Sequence, residues 1–257
     1  MINPIKDKLL LELSHKNWYK KTSKEVKVQL AELPEDCNGF LVDLVARSEE
    51  SGNVRLIKLL KLLVGNFILT PVFEVESIQT KQKFTFEYAS WKHGSMPGGF
   101  RGILFLEDEG KIKYFIVRRS DRFSLSKTIY DAVASFYSSD AEVKGLSFTG
   151  KIEKQLGRIL GNEKLNIRRI IDLGQIYPDT GMSNVAVSLF AGIIDITGHA
   201  EEVIRHLKNK KFDPYIVRWD MDIFPIDDLV GFVEKTDDSF LMSTISRVIA
   251  RKIVPGL

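Results

Sequence analysis

The sequence predicts an α+β protein with a helical N-terminal module over residues 1–76 and a layered domain over residues 77–257. Two observations predict this class. Apolar residues recur at helical spacing in the first part, whereas short apolar runs bounded by Gly and Pro dominate the second. The later order of strands, one helix, further strands and terminal helices is typical of an α+β sandwich.

The N-terminal module is predicted to begin with three helices. Apolar residues of the first recur three and four positions apart, at Ile5, Leu9, Leu10 and Leu13. Ser23 is placed to cap a second helix that ends before Pro34, and Asn38 is placed to cap a third. These helices leave apolar faces that need a partner surface.

A fourth helix is predicted over residues 54–64. Four leucines fall on one stripe of a helical projection, while the basic residues between them point elsewhere: Leu56, Leu59, Leu60 and Leu63. An all-α module of this kind suits a dimerisation bundle or protein-binding element, and we expect residues 1–76 to mediate such contacts. A helix-turn-helix reader and a lid on the next domain are the alternatives.

Strands dominate the chain after residue 77. They are predicted at residues 84–88, 101–107, 113–119 and 128–137, and again at 168–175, 185–195 and 215–223. A helix is predicted between the two groups, over residues 140–160. Two closing helices are predicted at 226–234 and 239–253, the second capped by Asp238.

Composition excludes several classes of protein. Apolar residues make up 44% of the chain and charged residues 28%, at a formal net charge of +3, which is typical of a globular protein. No apolar run approaches the roughly 20 residues needed to cross a bilayer, so we expect no membrane partner. The start of the chain lacks the features of a signal peptide, and Cys37 is the only cysteine. Cytoplasmic localisation is therefore expected.

A basic cluster near the start of the chain leaves a nucleic-acid partner as a minority hypothesis. Its members are Lys16, Lys20, Lys21, Lys24 and Lys27. Such a cluster could face phosphates, but a mixed-charge solvated surface is the commoner interpretation, because residues 1–80 are neutral overall.

The second part of the chain resembles the Nudix hydrolase family, in particular its ADP-ribose pyrophosphatase branch. The segments that carry the resemblance are 101–123, which is similar to the family's opening hairpin, 173–192, and 220–253, which is similar to its closing helices. The resemblance implies a Nudix-like α/β/α sandwich with a mixed sheet, and a nucleotide-diphosphate derivative such as ADP-ribose or a nucleotide sugar as ligand. It leaves the N-terminal helices unexplained.

The family has a metal-binding box, GX5EX7REUXEEXGU, in which U is a bulky apolar residue. This sequence can be aligned with the box at its full length, but without the metal-binding glutamates. Anchoring it on Gly157 places Glu142 at the first glutamate. The three glutamates that hold metal in the family then fall on Lys151, Lys154 and Gln155. The resemblance therefore implies a degenerate box.

The replaced residues share one helix face, because they lie three and four positions apart. Two ammonium groups on that face repel a divalent cation, yet they can pair directly with a diphosphate. We therefore expect a pseudoenzyme in a sensing, regulatory or scaffolding role, with Lys151, Lys154 and Gln155 binding ligand and with no catalytic residue, metal or cofactor. One alternative is that the lysines decorate a solvated helix. Another is an active pyrophosphohydrolase with an unconventional Mg²⁺ site at Glu142 and Glu153.

Further ligand-binding candidates lie on loops and strand ends. Arg118, Arg119 and Arg122 end a strand and could recognise phosphate or ribose, although such a cluster is as often surface decoration. Tyr177 and Asp179 belong to a turn that borders the nucleotide pocket in proteins that look like this one. An effector-responsive DNA-binding regulator remains a further alternative for the whole chain.

Overall fold

The computed structural model describes residues 4–94, 99–136, 145–160, 166–177, 183–184, 186–209 and 219–256. For residues 123, 135, 136, 158, 159, 209 and 219 it describes the backbone alone. The chain divides into two compact units. The first comprises Met1–Gly98 and Tyr177–Ala186, and the second comprises Gly99–Ile176 and Val187–Leu257.

The first unit begins with helices α1 (Pro4–Ser14), α2 (Asn17–Lys21), α3 (Lys24–Glu32) and α4 (Asn38–Ala46). The predicted cap of α3 is confirmed, since the Ser23 side chain accepts a hydrogen bond from the Val26 N–H. The predicted cap of α4 is wrong. A 3-10 turn over Glu35–Cys37 leads into this helix, so Asn38 already has helical dihedral angles and is its first residue.

The N-terminal part is not all-α, and the helix predicted over residues 54–64 is wrong. This segment is strand β2 (Val54–Val64), which pairs antiparallel with β3 (Ile68–Ser77). Two register shifts interrupt the pairing, one between Leu56 and Lys58 and the other between Leu59 and Lys61. Such irregularities break the strict alternation of a strand, so the buried Leu59 and Leu62 lie three apart, as they would in a helix.

The sheet of the first unit is antiparallel, with strand order β1-β2-β3-β4, and β5 also pairs with β3. The short strands are β1 (Glu50–Ser51), β4 (Lys83–Glu87) and β5 (Ser90–Trp91). Helices α2 and α3 pack on β2, and α1 packs on α4. Trp18 and Phe73 meet edge to face in the resulting core. The unit therefore continues past the expected boundary at residue 76, because β4 and β5 complete its sheet.

The second unit is built on a mixed sheet with strand order β10-β11-β6-β7-β12. Strands β6 and β11 are parallel, and the other neighbours in this order are antiparallel. The strands are β6 (Gly99–Asp108), β7 (Lys111–Arg122), β8 (Lys127–Asp131), β9 (Val133–Phe136), β10 (Asn166–Ile176), β11 (Val187–Asp195) and β12 (Trp219–Pro225). The segment expected as one strand over 128–137 breaks at Ala132, because β8 pairs with β7 and β9 with β6.

Helices cover both faces of this sheet. One hydrophobic cluster joins α5 (Phe148–Leu160) and α6 (Ala200–Asn209) to Leu104 and Ile116. The other joins α7 (Leu229–Phe232) and α8 (Ser239–Ala250) to Ile103 and Phe115. The neighbouring strand residues alternate between the two clusters, as the strand period of two requires. No helix in the described ranges is both long enough and apolar enough to cross a membrane.

Two details of the helices differ from or extend the predictions. Helix α6 was not predicted, although Val203 and Leu207 recur four positions apart and are buried. The predicted cap of α8 is confirmed, because the Asp238 carboxylate accepts the Leu241 N–H at 2.7 Å.

Candidate functional site

Helix α5 carries Lys151, Lys154 and Gln155, the ligand-binding candidates expected on one helix face. The Ser147 hydroxyl accepts the Gly150 N–H at 3.2 Å and so caps its first turn. Ile152, Leu156 and Leu160 repeat every four residues and are fully buried in the cluster beneath the helix. These three side chains fix which face of α5 meets the sheet, and therefore which residues remain at its edges.

The candidate ligand-binding residues of α5 differ in accessibility. Lys151 and Lys154 are half-buried, Gln155 is buried, and Glu153 is exposed. The helix therefore brings the two lysines to one flank of the buried stripe, as their spacing predicts. Glu142 and Asp179, which the sequence analysis also named, lie outside the described residues.

Arg118 and Arg122 meet on the buried carboxylate of Asp131. Both residues and Ser120 alternate along β7, so their side chains share one face of the strand. Arg118 holds Asp131 in a bidentate pair at 2.6 and 2.7 Å, the Ser120 hydroxyl donates at 2.9 Å, and Arg122 donates to the same carboxylate. The alternation places this cluster on the sheet face of Ile116, which is also the face that α5 covers.

The net charge of the Asp131 cluster depends on whether Asp131 is ionised. Burial raises the pKa of Asp131, but the bonds and charges of Arg118, Arg122 and Ser120 outweigh it and leave the pKa below its usual value. One carboxylate faces two guanidinium groups, so the cluster keeps one net positive charge. The Asp131 side chain is 0% exposed and that of Arg122 is 28% exposed, so Arg122 is the arginine of this pair closer to solvent.

Arg119 points away from this cluster. It is bound by two carboxylates of the neighbouring strand, Asp220 at 3.2 Å and Asp222 at 3.5 Å. Since its side chain is 45% exposed and its charge is already compensated, it is a weaker candidate for phosphate binding than Arg122.

A second ion pair, which is half-buried, lies within electrostatic range of the Asp131 cluster. Arg101 approaches the Asp238 carboxylate at 3.8 Å and stacks on the Phe240 ring at 4.3 Å. Burial lowers the pKa of Arg101 and raises that of Asp238. The Asp238 carboxylate also caps α8, so this pair anchors the start of that helix.

The remaining candidates belong to the first unit. Tyr177 is half exposed and lines a cavity of that unit. Two members of the basic cluster are occupied by carbonyl groups, since Lys16 donates to Arg47 O and Lys27 to Lys20 O. These bonds reduce the number of lysines that the cluster can offer to a nucleic acid.

The residues described on α5 do not fit a magnesium site. Their one carboxylate is that of the exposed Glu153, whereas Mg²⁺ is held through one or two carboxylates together with waters and substrate phosphates in near-octahedral geometry. More widely, no group of three or more His, Cys, Asp or Glu in the described ranges could hold a metal ion.

Sequence reasoning missed Asp131, the residue that organises the arginines. A signal for it was present in the chain. Asp131 is the only charged residue between positions 128 and 137, and the alternation of Arg118, Ser120 and Arg122 on the preceding strand predicts a counter-charge. The pairing became visible only with the register, in which Arg118 lies opposite Asp131.

Comparison with known proteins gives a likeness in fold alone. No protein-family model matches the sequence, and no curated protein matches it. A crystal structure of an ADP compounds hydrolase matches with a TM-score of 0.50 at 9% identity, over 80% of this chain and 97% of that one. The likeness supports the Nudix-like fold expected from the sequence. The matched 80% of this chain is longer than residues 77–257, so the match includes part of the first unit.

Proposed function

We propose that the second unit binds a nucleotide-diphosphate derivative, of the ADP-ribose or nucleotide-sugar type, without efficient hydrolysis. The observation that carries the proposal is that α5 presents half-buried Lys151 and Lys154 where the resemblance implies metal-binding glutamates. The likeness in fold to an ADP compounds hydrolase supports the ligand class. We further propose a sensing, regulatory or scaffolding role, since binding without turnover leaves the ligand intact, and a cytoplasmic location, as expected from the sequence.

Charge pairing explains why lysines suit the bound state. A diphosphate carries negative charge that a metal normally neutralises, and two ammonium groups on one helix face supply part of that neutralisation directly. Arg122 adds a guanidinium on the same sheet face, and the cluster to which it belongs keeps a net positive charge. All three groups are cations, so they attract the diphosphate and repel Mg²⁺.

The same residues explain why turnover is expected to be slow. Hydrolysis of a diphosphate needs charge stabilisation in the transition state and an activated water, and lysines at these positions supply only the first. Loss of several kcal/mol of transition-state stabilisation lowers the rate by orders of magnitude, because each 1.36 kcal/mol is about tenfold.

Calorimetric titration tests the proposal. The full chain is titrated with ADP-ribose, UDP-glucose and ADP, each with magnesium and with a chelator. We expect saturable binding of at least one compound that the chelator leaves unchanged, and no release of phosphate or nucleoside monophosphate. No binding of any compound would refute the proposal, and chelator-sensitive hydrolysis would favour the alternative of an active pyrophosphohydrolase.

Matched charge reversals locate the site. Lys151→Glu and Lys154→Glu should each weaken binding at least tenfold, because a repulsive charge replaces an attractive one. Lys235→Glu is the control, since Lys235 is an exposed lysine that follows α7 in the same unit. Equal losses in all three variants would indicate a nonspecific charge effect and would contradict the assignment to α5.

A further inference from the structure

A cavity of about 720 Å³ lies within the first unit, between the end of α4 and one face of its sheet. This volume is within the range of small-molecule sites. Its lining combines aromatic residues of the sheet with polar residues: Phe73, Phe84, Phe86, Tyr88, Arg47 and Asn184. None of these residues belongs to the diphosphate site proposed above.

The aromatic wall is continuous across two strands. Phe73 lies opposite Phe86 in the β3–β4 register, and the Phe73 and Tyr88 rings are nearly parallel, with centroids 6.3 Å apart. Phe84 and Phe86 alternate along β4 and are 43% and 41% exposed. Two phenylalanines with exposed ring surface beside a cavity form a platform on which a flat ring can stack.

Three polar side chains of the cavity lining contain buried atoms that are not satisfied by hydrogen bonds. Arg47 Nε, Tyr88 Oη and Asn184 Oδ1 are buried and form no hydrogen bond of good geometry among the described residues, although the Arg47 guanidinium lies close enough to the Tyr88 hydroxyl to lower its pKa in part. The Asn184 amide is oriented, because its Nδ2 donates to Asp43 at 3.1 Å. Buried polar groups normally have partners, so three without them on one cavity indicate that a further molecule completes the set.

Arg47 is held in place by the aromatic residues. Its guanidinium carbon lies 4.5 Å from the centroid of the Tyr88 ring and 5.8 Å from that of Phe73. Burial is the main reason that the pKa of Tyr88 is raised, and the Arg47 charge opposes it in part. The hydroxyl therefore stays protonated at neutral pH and can both donate and accept.

The charges around the cavity select against a polyanion. Arg47 is accompanied by two acids in the lining, Asp43 and Glu49. Hydrogen bonds from the Asn17 backbone and side chain lower the pKa of Glu49, which keeps it ionised. One cation against two anions gives no excess of positive charge, so a diphosphate is disfavoured here.

We propose that this cavity binds an uncharged planar heteroaromatic compound that carries both hydrogen-bond donors and acceptors on its edge. The ring stacks on Phe84 and Phe86, and its polar edge pairs with Arg47, Tyr88 and Asn184. The three atoms are buried, so pairing with a ligand requires a side-chain movement. The site is separate from the one on α5 and does not depend on it.

Binding of small uncharged probes tests the proposal. Adenine, uracil and nicotinamide are followed by saturation-transfer NMR and calorimetry with the full chain. We expect saturable binding of at least one probe, and none of cyclohexanecarboxamide, which has a carboxamide but no aromatic ring. If none of the three probes binds, or if cyclohexanecarboxamide binds equally well, the proposal is overturned.

Two variants and a control assign the binding to this cavity. Phe86→Ala removes part of the platform and should weaken binding at least tenfold. Tyr88→Phe keeps the ring and removes the unpaired hydroxyl, so it should weaken binding at least threefold without lowering the melting temperature. Phe67→Ala is the control, since Phe67 is 72% exposed and does not line the cavity. Unchanged affinity in both cavity variants would overturn the proposal.

The two proposals fail independently. Lys151→Glu should leave the binding of adenine, uracil and nicotinamide unchanged, whereas Phe86→Ala should leave the contacts of a diphosphate with α5 intact. If Lys151→Glu weakens the binding of the uncharged probes as much as Phe86→Ala does, the assignment to the first unit is refuted.

Discussion

Replacing the carboxylate of Asp131 by an amide should cause a large loss of stability in the second unit. Asp131→Asn keeps the shape of the side chain but removes the charge that pairs with Arg118 and Arg122. Asp131 is 0% exposed and the Arg118 side chain is 12% exposed, so water cannot replace the lost partner. The introduced amide nitrogen would in addition face a guanidinium or hydroxyl donor, at the place where the carboxylate now offers a second acceptor oxygen.

The magnitude follows from the geometry. Removing one partner of a buried ion pair costs about 3–5 kcal/mol of unfolding free energy, because the other charge stays buried and unpaired. Arg118 loses the charge pairing of its bidentate bonds, which are 2.6 and 2.7 Å long. Arg122 is 28% exposed and can turn toward water, so its share is smaller. We therefore expect a loss of about 3 kcal/mol, at the lower end of that range.

Urea unfolding measures this loss as a shift of the midpoint at constant slope. The control is Asp220→Asn, which removes a partner of Arg119 in a pair whose side chains are 45% and 33% exposed. Exposed pairs contribute about 0–1 kcal/mol. A difference of less than about 1 kcal/mol between the two variants would refute the reasoning.

Acid should reproduce the effect of the substitution. The pKa of Asp131 is lower in the folded than in the unfolded chain, because the pairing with Arg118, Arg122 and Ser120 outweighs burial. Its contribution to stability is therefore fully present above the unfolded pKa of about 4 and is lost as the pH falls through the folded pKa. The stability gap between the parent chain and Asp131→Asn should be constant from about pH 6 to 8 and should narrow below about pH 4.

Three further predictions concern single residues. Gly157→Ala should stabilise the chain by about 0.5–1 kcal/mol in urea unfolding, because a Cβ at this helical position meets no described atom within 4 Å, and destabilisation would contradict it. Gly102→Ala should destabilise by about 1–3 kcal/mol, since the new Cβ would overlap Phe190 O; an unchanged urea midpoint would be evidence against this packing. Cys37 is fully buried and burial raises its pKa to about 11, so it should react with a thiol reagent at about pH 8 only after denaturation, and rapid reaction of the native protein would disprove its burial.

The strands of the second unit could be predicted because their local signals agree with their final environment. Residues 101–107 and 113–119 are apolar runs bounded by turn residues, and the structure places them in β6 and β7. The caps at Ser23 and Asp238 were predictable for the same reason, since the capping bond joins residues three positions apart. Interactions between residues so close in sequence can be predicted without knowing the tertiary structure.

The site was predictable only in part. The box register correctly placed Lys151, Lys154 and Gln155 on one helix, and the structure adds that Gln155 is buried and the lysines are half-buried. The roles of Arg118 and Arg119 differ although the residues are adjacent, because a strand sends successive side chains to opposite faces. One meets the buried Asp131, and the other meets the half-buried Asp220.

The sequence by itself determined the mixed α+β class and most strands of the second unit. Only the tertiary structure decided that residues 54–64 form a strand, since the leucine spacing of an irregular strand imitates a helix until β3 pairs with it. Tertiary structure also joined Asp131 to Arg118, and Arg47 to Tyr88. These contacts link residues that are 13 or more positions apart, and no local pattern in the sequence specifies such a pairing.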